Sequence, residues 1–113
     1  MKVKYIWKTT ELWIIQNSIY SVFAISMESK EEWWNKYYIK TEWPKYIYPF
    51  DISNFEIISP TLPQYWSFWV VSIWKFYVWP KELFEIKNFW EDYYNDKQEC
   101  LDIVKKYLDR GII

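Results

Sequence analysis

Tyr65-Trp66-Ser67-Phe68-Trp69-Val70-Val71-Ser72-Ile73-Trp74-Lys75-Phe76-Tyr77-Val78-Trp79 is the longest apolar run of this chain. It is dense in β-branched and aromatic residues and holds neither Gly nor Pro, which predicts a central strand. Trp66, Phe68, Val70, Trp74 and Phe76 are assigned to one face, and Trp69, Val71, Ile73, Tyr77 and Trp79 to the other. With both faces apolar, the run is expected in the middle of a sheet or bent through a bulge. Its length exceeds that of an ordinary strand, so it also reads as two strands without a recognisable turn. A membrane span is disfavoured, because Lys75 interrupts the run and a spanning helix needs roughly 20 apolar residues.

Working outward, Val3, Tyr5 and Trp7 alternate with Lys2, Lys4, Ile6 and Lys8, the period of a half-buried strand over 2–8. Residues 11–16 and 19–26 read as a hairpin around Gln16-Asn17-Ser18, although Leu12, Ile15, Ile19, Val22 and Phe23 would also share a helical face. Ser29 and Glu32 form a capping box that predicts a helix over 30–40, with Trp33, Trp34, Tyr37 and Tyr38 packed on the sheet. Trp43-Pro44 and Tyr48-Pro49 end that helix and keep the next stretch extended. Phe55 to Ser59 is a short strand closed by Ser59-Pro60 and Leu62-Pro63.

Beyond the central run, Pro80 suits a first helical position, and Leu83, Ile86, Trp90 and Tyr93 recur at helical spacing to about residue 94. Asn95-Asp96 breaks the pattern. Asp96 and Glu99 form a second capping box, and Cys100, Leu101, Val104, Tyr107 and Leu108 make an apolar stripe that Gly111 terminates. The predicted fold is α+β: an antiparallel sheet of four or five strands, one inserted helix, and two C-terminal helices packed on one face. A chain of 113 residues with no Gly/Ser-rich or Pro-rich linker is expected to form a single domain, 1–113.

Composition narrows function mainly by exclusion. The absence of histidine removes the commonest general base, the Ser-His and Cys-His dyads and imidazole zinc sites. A single glycine disfavours phosphate-cradling loops and nucleophile elbows. Cys100 lies within the apolar stripe and reads as a structural thiol; with no second cysteine and no apolar leader at the N-terminus, a cytoplasmic setting is expected. Glu91, Asp92, Asp96 and Glu99 lack the glycine of a calcium loop and read as a solvated face. The pairs Glu82/Glu85 and Glu31/Glu32 are ordinary for helix surfaces, so no catalytic residue, metal or cofactor is expected.

Ten Trp, eleven Tyr and seven Phe exceed what a core of this size needs, which points to a contact face. A net charge of -1 argues against general nucleic-acid binding. Lys2, Lys4 and Lys8 with their interleaved rings resemble a single-strand-binding stripe, but lysines alternating along an edge strand also prevent aggregation, and that reading is preferred. Acidic residues accumulate in the C-terminal part, at Glu82, Glu85, Glu91, Asp92, Asp96, Glu99 and Asp102, where they would suit a basic partner.

With no histidine, one glycine, an acidic helical face and surplus aromatics, the chain resembles the small bacterial immunity proteins that neutralise a cognate toxin, often a nuclease, by covering its active site. The resemblance is of general type over the whole chain and no motif carries it. It implies a non-catalytic protein-binding domain in which those seven acids steer a basic toxin domain and Trp33, Trp34 and Trp43 are candidate anchors. Two other readings stay open: a phage or host inhibitor that mimics nucleic acid, and an aromatic platform for carbohydrate or single-stranded nucleic acid. Homo-oligomerisation through the aromatic rings is open as well.

Overall fold

In the computed structural model, residues 1–8, 14–28, 35–41 and 46–109 are described. Among them, seven strands and three α-helices follow one another as β1 (Lys2–Tyr5), β2 (Ile19–Met27), β3 (Lys36–Lys40), β4 (Ile47–Asp51), β5 (Phe55–Ser59), β6 (Trp66–Ser72), β7 (Lys75–Pro80), α1 (Lys81–Phe84), α2 (Phe89–Tyr94) and α3 (Gln98–Asp109), with a short 3-10 turn at Ile52–Asn54. The class is α+β with an antiparallel sheet, as predicted, and two of the helices close the chain.

The strand at the centre of the sheet is β2. Val22 to Ser26 are buried without a break, which marks a strand covered on both faces. It pairs with β1 through Ile19–Ser21, with β3 through Val22–Ser26 and with β7 through Ile25–Met27. The sheet therefore forks at β2: β5 extends it beyond β1, β6 extends it beyond β7, and β4 lies outside β3. The Gln16-Asn17-Ser18 turn forms, with Asn17 left-handed (φ 67°) and the Ser18 N–H donating to Ile15 O at 3.1 Å. Residues 19–27 are a strand, as expected over 19–26, and the helical alternative does not form there. The hairpin partner expected over 11–16 does not appear among the described residues: Ile14 makes a lone bridge, Gln16 and Asn17 are the turn, and β2 pairs with β1 instead, while residues 9–13 lie outside the described residues.

Each face of the sheet carries its own core. One is built from strand and loop residues, among them Val3, Tyr5, Val22, Ile25, Ile39, Phe50, Phe55, Trp66 and Val78. The other joins Phe23, Ala24, Ile47 and Trp79 of the sheet to Leu83, Phe89, Tyr93, Cys100, Val104 and Tyr107 of the helices. Side chains tie the helices down. Tyr93 Oη accepts from the Ile47 N–H at 2.9 Å while Tyr94 Oη donates to Ile47 O at 2.6 Å, so α2 holds both polar groups of one residue in β4. Glu82 of α1 accepts from Lys106 Nζ and, at 2.7 Å, from Tyr107 Oη, which joins α1 to α3.

Four further expectations are corrected. Lys36–Lys40 of the predicted helix over 30–40 is a strand, with Tyr37 and Ile39 turned inward at period two; residues 29–34 of that helix lie outside the described residues. The tertiary cause is pairing on both sides, by β2 and by β4, where Tyr38 opposes Pro49. The helix expected over 80–94 is broken between α1 and α2, because Asn88 takes a left-handed conformation (φ 58°, ψ 40°) that no right-handed helix passes through. Strand β1 ends at Tyr5 rather than at residue 8, and the Ile6 N–H turns to Asn54 O at 2.9 Å. Finally, the run 65–79 is a hairpin at the end of one fork, the two-strand alternative, and not a central strand. Gly111, expected as a cap, lies outside the described residues.

The hairpin explains why its turn was invisible. Ser72 pairs with Lys75, leaving Ile73-Trp74 as the loop, and neither takes a positive φ. Tight primed turns match strand twist through positive φ at Gly or Asn. Here the register shifts between Val70 and Ser72, so Val71 is an extra residue that bends the strand in place of a glycine.

Candidate functional site

Beyond its base, the β6–β7 hairpin leaves the core. Trp66, Val78, Trp79 and Pro80 are buried, whereas Phe68, Trp69, Val70, Val71, Ile73 and Trp74 are all more than half exposed, Ile73 at 82%. Both faces of the arm and its tip are thus apolar and wet. Exposed apolar side chains grouped in this way, rather than scattered singly, are characteristic of interaction surfaces.

Beside the arm runs a groove of about 620 Å³. Trp69, Tyr77 and Trp79 of the hairpin form one wall, Leu83 and Phe84 of α1 lie along it, and the residues 85–88 lead to Phe89, Trp90 and Glu91 of α2. The rings are mutually supported: Trp69 leans on Phe84 with centroids 5.8 Å apart, Phe84 stacks on Trp79 at 5.0 Å, and Trp79 stacks on Tyr77 at 4.4 Å. Trp90 stacks on Tyr38 at 4.3 Å. These contacts hold the indoles in place before any partner arrives, which lowers the ordering cost of a contact. The indole nitrogens of Trp79 and Trp90 are shielded from solvent and have no acceptor, so apolar ring faces and edges are the main contribution of the aromatic wall.

The seven acids do not form one face of equivalent groups. Glu85 and Glu91 both border the groove and are exposed. Glu82 is committed to Lys106 and Tyr107. Asp92 pairs with Lys97 at 3.5 Å, Asp96 accepts from the Tyr46 hydroxyl, and Asp102 accepts from Gln98 Nε2 at 2.7 Å. Glu99 is exposed in the first turn of α3. Of the seven expected acids, Glu85 and Glu91 are the two that line the aromatic groove. Trp33, Trp34 and Trp43, the expected anchors, and the pair Glu31/Glu32 lie outside the described residues.

Sequence reasoning missed Phe68, Trp69, Val70, Ile73 and Trp74 as candidate contact residues, because a long apolar run ordinarily signals burial. The only available signal was the surplus of rings over what a core requires. Cys100 is fully buried, as expected; burial raises its thiol pKa, Asp92 and Glu99 reinforce the shift, and Lys97 opposes it. A thiol so placed is a poor nucleophile. Among the described residues no group of three or more Cys, Asp or Glu is placed to hold a metal ion, and no helix is long and apolar enough to cross a membrane. No family model, curated protein or solved structure matches the chain.

Proposed function

We propose that this chain is a non-catalytic protein-binding domain, an immunity or inhibitor protein that neutralises a cognate toxin by occluding its active site. The observation that carries the reading is the groove beside the hairpin, where preorganised rings of Trp69, Phe84 and Trp90 adjoin Glu85 and Glu91. Rigid aromatic anchors bordered by charge are the usual composition of an inhibitory interface, the rings supplying affinity and the charges steering the encounter. The partner is then a basic domain, with a cationic group between the two glutamates and an apolar side chain against Trp69. The rival reading, a nucleic-acid mimic, needs a long array of free carboxylates, and it is disfavoured because Glu82, Asp92 and Asp96 are engaged within the fold.

Affinity capture from the native host identifies the basic partner, and calorimetry and stopped-flow mixing of the purified pair test the interface. Trp69→Ala is expected to weaken the complex by about 2 kcal/mol, roughly thirtyfold, mainly through faster dissociation. Charge reversal at Glu85 and Glu91 together should slow association and flatten its dependence on salt. Should the captured enzyme stay active in the complex, or should both substitutions leave its binding unchanged, the reading fails.

A further inference from the structure

Three strands end the forked sheet, and they are not protected alike. Strand β4 carries Pro49 at its middle and Asp51 at its end, and β5 carries the exposed Glu56 and is followed by Pro60. Proline and charge are the ordinary means of keeping a free edge from pairing. Strand β6 has β7 as its one strand neighbour among the described residues, and Trp66 to Trp74 contains no charge and no proline. The bulge at Val71 comes after the regular pairs from Trp66 to Val70 and leaves that stretch in unbroken register with β7.

We propose that the β6 edge pairs antiparallel with the β6 edge of a second copy, making a closed two-fold dimer. Three features favour a second copy over a foreign strand. An uncharged strand meets itself across a dyad without like-charge repulsion, whereas a basic partner would gain nothing from it. A dyad at Trp69 sets Phe68 opposite the copy's Val70, within the regular stretch of β6, and aromatic to β-branched pairs stabilise antiparallel ladders. Pairing also sets the exposed side chains of Phe68, Trp69 and Val70 beside their cross-strand neighbours on the copy, which withdraws part of their apolar surface from water. Isologous pairing also closes the assembly, since each copy has one edge of this kind among its described residues. The inference is argued from the edge alone and not from the proposed inhibitor role, although the two share Trp69, which lines the groove with Glu85, Trp90 and Glu91 and stands at the proposed dyad.

Sedimentation equilibrium of the full chain across the micromolar range tests it. The expected result is a monomer–dimer equilibrium, with a dissociation constant raised about tenfold or more by Val70→Lys, which puts a charge at an exposed position outside the core. Hydrogen exchange on the unsubstituted protein gives a second readout that needs no variant: amides of β6 that face away from β7 should gain protection as concentration rises. A monomer at every concentration, a dimer indifferent to Val70→Lys with no such protection, or open-ended polymers would each overturn the proposal.

Discussion

Ile47 shows how much a single peptide unit decides in this molecule. Its side chain is fully buried, its N–H donates to Tyr93 Oη and its carbonyl accepts from Tyr94 Oη. Adjacent residues of α2 thereby satisfy both polar groups, and a buried backbone group left without a partner costs about 1–3 kcal/mol. Tyr93→Phe removes the acceptor of the Ile47 N–H while preserving ring volume, so it is expected to destabilise the fold by about that amount. A lower midpoint at unchanged slope in urea unfolding would record it; an unchanged midpoint would mean that the hydrogen bond is replaced. The burial of Tyr93 was legible from its helical spacing, but the role of its hydroxyl was not, because its partner lies 46 residues away.

At the scale of elements, Asn88 separates two short helices that the apolar spacing of Leu83, Ile86, Trp90 and Tyr93 joins into one. The left-handed conformation is costly for most residues, roughly 1–2 kcal/mol, and less so for Asn and Gly. Asn88→Ala is therefore expected to lower stability by about 1 kcal/mol and Asn88→Gly to be neutral or stabilising, as measured by thermal unfolding. Equal losses for both would show that the Asn side chain matters rather than its backbone. The break also shapes the groove, since residues 85–88 turn the chain so that Glu85 and Glu91 border the same opening. Helical spacing identified α3 and the inward residues of α1 and α2 because it is a local property. It failed at Lys36–Lys40, where Tyr37 and Tyr38 suit a helix face or a strand equally and neighbouring strands decide.

For the molecule as a whole, the abundance of tyrosine links stability to alkaline pH. Burial is the largest cause pushing Tyr38, Tyr65, Tyr77 and Tyr93 up to about 12 from an ordinary 10, with Glu28 adding to the effect at Tyr38 and Tyr77; Tyr94 is displaced further in the same direction. A group whose folded pKa is raised holds its proton more tightly in the native state. The stabilisation is fully present below pH 10 and is lost as pH climbs from 10 through 12, where the unfolded chain has already released its protons. A cooperative alkaline transition is expected in that window, with tyrosinate absorbance and loss of near-ultraviolet circular dichroism rising together. Gradual ionisation with the fold intact would contradict it.

What the sequence by itself determined is whatever depends on near neighbours: the α+β class, the turn at Asn17 and the strand that follows it, helix α3, and a buried Cys100 within the stripe of Val104 and Tyr107. Only the tertiary structure decided where Tyr65 to Trp79 lies. Aromatic and β-branched residues make a strand whether or not anything covers it, and cover is set by which distant strand takes each edge. Because Ile25–Met27 of β2 pairs with β7 and no described strand takes the far side of β6, the most apolar stretch of the chain is buried at its base and exposed from Phe68 to Trp74.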